Sequence, residues 1–296
     1  MMEFINSLDI KLQATIISAL TSLFIFVVGW LFKFFYERNS LSFRLDKEYT
    51  FEQKKKLKEE ISKYKIPLLN ACEEFNYRLR NFNKRTKENL HRIDPDKWFE
   101  TDQYYLNSFI YRFLVILHYV YKIEQETLSI DSTVADKSDI KFLKFIKTFK
   151  NIFSELDLLT PLGYKWSDTK NHFWKNELKG FTLWVVENDR VIEFDEFVPK
   201  LRFNYNELRK IIEYFSKIEN DPNDKTLNVL RCFHLLIIQF LNFYGHTYQV
   251  TPEAKVNTIV NFYSENIKIV DAFENFISES KLDQEMKSIL KKLKAA

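Results

Sequence analysis

Apolar residues crowd the start of the chain and then recur at helical intervals to its end. Between Lys11 and Lys33 lie 21 residues without a formal charge, LQATIISALTSLFIFVVGWLF. At the rise of an α-helix they cover about 31 Å, the thickness of a bilayer's hydrocarbon core. The pattern predicts a transmembrane anchor over residues 1–36. Trp30, Phe32, Phe34, Phe35 and Tyr36, followed by Arg38, fit the belt of amphipathic rings at a headgroup layer. A cleaved leader needs a basic start and small residues at its cleavage site, whereas Met1 to Asp9 is acidic.

Beyond the anchor, Leu57, Ile61, Tyr64, Leu68, Cys72, Phe75 and Leu79 follow a helical period. They predict a long helix from Tyr49 to Asn83, kinked or restarted at Pro67, inside a basic juxtamembrane stalk of residues 37–92. A turn over His91 to Asp102 leads to an N-cap at Thr101 or Asp102 and an aromatic helix from Gln103 to Leu128. Ile130 to Lys137 reads as a loop, and Ile140 to Phe153 as the next amphipathic helix. From Thr160 to Lys200 the period fails, with Pro161, Gly163, Gly180 and Pro199 as breakers. Phe181 to Phe194 alternates around Asn188-Asp189, which suits a short β-hairpin or a helical continuation. Helices are expected again at Tyr205 to Ile218, Lys225 to Phe243 and Val256 to Ile277, with an amphipathic tail from Lys281. Cys232 to Val250 holds 19 uncharged residues, but His234, Gln239, Asn242 and His246 point to a central buried helix rather than a second span.

Composition narrows the fold class. The chain has only 4 Gly and 6 Pro in 296 residues, about 3% against a usual figure near 12%, so β-sandwiches and barrels are poor fits. The expected fold is mainly α: an N-terminal transmembrane helix, then a cytoplasmic helical bundle over residues 93–296 with a short irregular or β-hairpin insertion. Glycine-rich phosphate loops are excluded by the same scarcity.

Charge sets the orientation. Sixteen basic and nine acidic residues lie between Lys33 and Arg92, although the whole chain carries only +3. The positive-inside rule then places the C-terminal part in the cytoplasm of a cell whose inner membrane holds the anchor. Lys33, Arg38, Lys54, Lys55, Lys56 and Lys58 are expected at the membrane surface. Cys72 and Cys232, each in an apolar helical context, suit a reducing compartment. In the anchor, Ala14, Ser18, Ser22 and Gly29 form a stripe of small residues that permits close helix packing and hence homo-oligomerisation; the alternative is that the hydroxyls bond back to their own helix.

Chemistry is sparse. No C-x-x-C, H-E-x-x-H or G-x-S-x-G occurs, and neither cysteine has a basic neighbourhood. No cofactor and no metal is expected. Trp166, Trp174, Trp184 and Arg190, in the irregular section, mark a pocket candidate against the simpler reading of an aromatic core under a loop.

Arginine is followed by histidine after five residues twice, Arg85 to His91 and Arg112 to His118. This resembles the R-x(4 to 6)-H signature of the HEPN ribonucleases, helical bundles whose Arg and His meet at a dimer cleft. The resemblance implies a tethered ribonuclease with His as acid or base and Arg on the scissile phosphate. On one continuous helix, however, residues six apart lie about 240° around the axis, and the family's polar residue after Arg is Phe113 here.

The order of a span, a helix ending NYRLRNF, a helix beginning YYLNSFIYRFLVIL and a later FTLWVVENDRVIEF resembles a group of uncharacterised bacterial single-span membrane proteins. Their segments read roughly L-x-x-R-L-x-N, Y-x-x-S-x-x-Y and F-x-x-W-x-x-E-x-R-x-I. The matching positions are Tyr77, Arg78, Leu79 and Asn81, then Tyr105, Ser108 and Tyr111, then Phe181, Trp184, Glu187, Arg190 and Ile192. Val186 and Asn188 stand where that pattern has glycine and glutamine, with one residue inserted. The resemblance implies no activity. By analogy of layout it suggests an antiphage defence or stress component.

The functional expectation is a membrane-anchored, non-enzymatic sensor, scaffold or effector acting by assembly at the bilayer. Its expected partners are lipid, further copies of the chain and a protein; nucleic acid is not expected.

Overall fold

The computed structural model describes residues 9–85, 88, 91, 103–165 and 169–295. It is mainly α-helical. The chain divides into two units, Met1–Lys56 and Leu57–Ala296, so the expected stalk is shared between them. Helix α1, Ile10–Arg85, runs through both and through Pro67, where a kink or restart was expected.

Among the described residues of the first unit none is buried. The most apolar 18-residue window of α1 has a mean hydropathy of 2.2 and is 0% buried. Phe24, Phe26, Trp30 and Phe32 are all more than half exposed. Thr15 and Thr21 donate to the carbonyls of Lys11 and Ile17 at 2.9 and 2.8 Å, which satisfies both hydroxyls within the helix itself.

The second unit has its own core. It comprises the rest of α1, α2 (Tyr104–Thr127), α3 (Lys137–Asn151), α4 (Lys175–Thr182), α5 (Phe194–Phe203), α6 (Tyr205–Ser216), α7 (Lys225–Tyr244), α8 (Glu253–Asn266), α9 (Val270–Glu279) and α10 (Asp283–Ala295). Short 3₁₀ turns occupy Ser132–Val134, Asp157–Leu162 and Leu183–Val185. The expected turn from residue 92 and the cap at Thr101 or Asp102 lie outside the described residues; α2 starts after Gln103 without a side-chain cap.

Helix α7 is the centre, and its most apolar window is 83% buried. Its N-terminus is capped by Asp224, whose carboxylate accepts from the backbone N–H of Leu227 at 2.6 Å and of Glu219 at 3.0 Å. Phe233 then meets Phe75 of α1, Phe149 of α3 and Phe153 at ring distances of 6.0, 5.2 and 4.8 Å. Edge-to-face and tilted contacts of this kind add to the area buried by each ring. Buried phenylalanines thus weld α1, α2, α3 and α7, among them Phe75, Phe109, Phe113, Phe149, Phe233 and Phe240.

The irregular section resolves into a hairpin, β1 (Val186–Glu187) and β2 (Arg190–Val191), paired Val186 to Val191 and Glu187 to Arg190. Asn188 and Asp189 have φ of 50° and 59°, as a type I′ turn requires and as these two residue types tolerate. Arg190 clamps Glu196 through two bonds of 3.0 and 2.7 Å. Glu196 also accepts from the N–H of Glu193 at 2.8 Å, and these donors pull its carboxyl down to about 2. The clamp joins the hairpin to α5. Pro199, expected as a breaker, lies inside α5.

The single helix expected over Val256 to Ile277 is two. After α8, Ile267 is extended and the N–H of Lys268 donates to the Asn228 side chain at 2.8 Å instead of to a helical carbonyl. The buried Ile267 and Ile269 hold the break in place. The tail α10 buries Met286, Ile289, Leu290 and Leu293 and packs on α7, α8 and α9. Lys141 pairs with Glu285 at 3.0 Å, and Gln239 donates to the Glu285 carbonyl at 2.5 Å.

Candidate functional site

Tyr77, Arg80, Asn81 and Lys84 occupy positions i, i+3, i+4 and i+7 of α1; Lys255, Thr258, Ile259 and Phe262 occupy the same positions of α8. Each set is therefore one helical stripe. Such stripes usually interlock through apolar side chains. Here they are mostly polar, and a cleft of about 940 Å³ separates them. Asn220, before α7, and the side chains of Asn83 and Tyr263 complete its lining.

Among the described residues the cleft wall carries Arg80, Lys84 and Lys255 and no carboxylate. None of the three has a carboxylate partner among the described residues, whereas Lys150, Lys210, Lys200 and Arg190 all do. Arg80 lies over the Tyr77 ring, 4.4 Å from its centroid, and Arg231 over Phe262 at 5.3 Å.

Beneath the cleft lies a buried polar chain. His234 Nε2 is 2.8 Å from Asn76 Oδ1, an acceptor, so that nitrogen carries the proton. Nδ1 then accepts from the Tyr263 hydroxyl at 2.7 Å. Tyr263 in turn accepts from the Asn83 amide, and Asn76 donates to Thr251 at 3.3 Å. The chain fastens α1 to α7 and α8 through directional bonds.

Electrostatics keeps this floor uncharged. Burial, helped by the Arg80 charge, holds His234 down to about 3. Burial pushes the Tyr263 phenol well above its ordinary value. Cys232 and Cys72 are buried, which raises both thiols. Near neutral pH the floor holds neither a base that is free to accept a proton nor a thiolate. The described lining thus sets three cationic side chains above an uncharged floor.

The residues singled out from sequence are scattered. Arg112 and His118 share the continuous helix α2; Arg112 pairs with Glu74 at 3.3 Å, while His118 is buried and held down to about 4 by burial and the Lys122 charge. Arg85 faces Glu88 at 3.9 Å, and His91 Nε2 donates to the Ile218 carbonyl at 2.8 Å. Arg112, Arg85 and His91 thus each bond to a group outside the expected Arg–His pairs. Trp166 lies outside the described residues; Trp174 is exposed, Trp184 is half-buried and Arg190 holds Glu196. Trp174, Trp184 and Arg190 do not line the cleft. Ala14, Ser18, Ser22 and Gly29 are exposed, with open space around Gly29. Lys33 faces Glu37 at 3.8 Å, Arg38, Lys55 and Lys56 are exposed, Lys54 is half-buried, and Lys58 pairs with Asp136 at 2.7 Å.

The cleft itself was missed from sequence. The available signal was the pair of polar i, i+3, i+4, i+7 stripes, which only the fold shows to be opposed. Among the described residues no three His, Cys, Asp or Glu side chains converge to hold a metal. Scans of protein-family models, curated proteins and solved structures gave no match.

Proposed function

We propose that the protein is a single-pass module of a bacterial inner membrane, anchored by α1, with its folded part in the cytoplasm and acting by binding and assembly rather than by catalysis. One observation carries this reading: the apolar stretch of α1 is wholly unburied while the remainder of the chain closes a core without it. An unburied run of that length and hydropathy is costly in water and matches a hydrocarbon layer. The basic residues from Lys33 to Lys56 favour retention on the cytoplasmic side. Exposed Ala14, Ser18, Ser22 and Gly29 offer a face for close helix packing between copies. The uncharged floor of the cleft, with no poised acid or base, favours a sensor or scaffold over an enzyme.

The test is topological. A reporter fused at Ala296, active only in the cytoplasm, should be active when the full chain is expressed in bacteria. Activity only of a reporter that works outside the inner membrane would overturn the orientation. Replacing Ser18 and Ser22 by Leu should reduce cross-linked oligomers in membranes; unchanged cross-linking would remove the assembly face.

A further inference from the structure

We propose that the cleft between α1 and α8 binds a small molecule that combines phosphoryl groups with a planar ring, the chemical class of nucleotides. The inference goes beyond membrane anchoring and does not depend on it.

Charge is the first ground. Arg80, Lys84 and Lys255 converge on one cavity from two helices, without a carboxylate in its wall or an acidic partner elsewhere among the described residues. Like charges held together without counter-charge repel one another, and a bound polyanion relieves that cost. Size is the second ground. A volume of about 940 Å³ lies within the range of small-molecule sites, roughly 300–1,000 Å³, and a lone phosphate would leave most of it empty.

Surface chemistry is the third ground. Tyr77 and Phe262 are 54% and 40% exposed, each with a guanidinium at its ring. Exposed rings of this kind are stacking platforms for a heterocycle. Asn81 and Asn220, both exposed at the cleft, offer amide donors and acceptors to a base edge. The neutral His234 and Tyr263 below add no negative charge to oppose the phosphates.

The test uses the full chain in an uncharged detergent at low salt. Equilibrium dialysis would compare ATP, inorganic pyrophosphate and an inositol bisphosphate as a soluble lipid headgroup. ATP is expected to bind saturably and more tightly than the other two. Lys255→Glu and Lys84→Glu, both at exposed positions, should each weaken ATP by about tenfold without shifting the unfolding midpoint. Phe262→Ala should weaken ATP by about tenfold and leave pyrophosphate unchanged. Absence of saturable ATP binding, or ATP binding that ignores both charge reversals, would overturn the site. Pyrophosphate binding as tightly as ATP would overturn the ring component, and preference for the inositol bisphosphate would assign the cleft to a lipid headgroup instead. Loss of anchoring in a separate fractionation would leave these outcomes unaffected.

Discussion

The ring of His234 on α7 donates through Nε2 to Oδ1 of Asn76 on α1 at 2.8 Å, across a sequence separation of 158 residues. Its other nitrogen takes the Tyr263 proton, so both ring positions are committed to a neutral tautomer. Protonating His234 would set two donors against the Tyr263 hydroxyl and place an uncompensated charge near Arg80.

Acid should therefore loosen the folded part. A histidine whose folded value lies near 3 binds protons in the unfolded chain, below about pH 6.5, before it binds them in the folded one. Stability is complete above that point and falls as pH drops toward 3, by about 1.4 kcal/mol per pH unit for each such group. His118, held to about 4, adds to the same slope. Thermal unfolding of the full chain from pH 8 to 4.5 should show a plateau and then a decline. In His234→Gln the decline should be shallower; an identical slope would show that His234 takes no part.

Asn107 is only 1% exposed, and both polar atoms of its side chain lack a partner among the described residues. A buried amide without bonds keeps its desolvation cost and gains nothing in return. Asn107→Leu is expected to raise stability by about 1–3 kcal/mol, read as a higher denaturation midpoint. A lower midpoint would mean that the amide has a bonded partner in solution.

Gly245 ends α7, its N–H bonded to the Leu241 carbonyl at 2.8 Å. A methyl group there would lie 2.5 Å from that same carbonyl oxygen, and backbone cannot step aside cheaply. Gly245→Ala should cost about 1–3 kcal/mol, whereas Gly29→Ala, in open space, should leave the unfolding midpoint of the folded part unchanged. Equal midpoints for Gly245→Ala and the parent would contradict the packing at the end of α7.

Much of the helical layout was legible because apolar spacing is a local signal. α2 and α7 fall within one residue of their expected ends, and Asn188-Asp189 marked the hairpin through its own tolerance of positive φ. The departures share a physical cause. The helix does not restart at Pro67 and Pro199 sits inside α5, because burial of Leu68, Leu69, Phe197 and Leu201 outweighs the lost backbone bonds. The break after α8 depends on Asn228, forty residues away from Lys268. Likewise the cleft depends on two stripes 178 residues apart, from Tyr77 to Lys255, and no local rule reports their encounter. For the candidate site, spacing drew attention to Arg–His pairs and tryptophans, while Arg80, Lys84 and Lys255 are drawn to one cleft only when α1 meets α8.

Extraction of membranes with alkaline carbonate tests the anchor most directly. The full chain should remain in the pellet, because an apolar helix of 21 uncharged residues stays dissolved in lipid when surface-bound proteins are stripped away. Release of the intact chain into the supernatant would contradict the membrane-spanning role of α1.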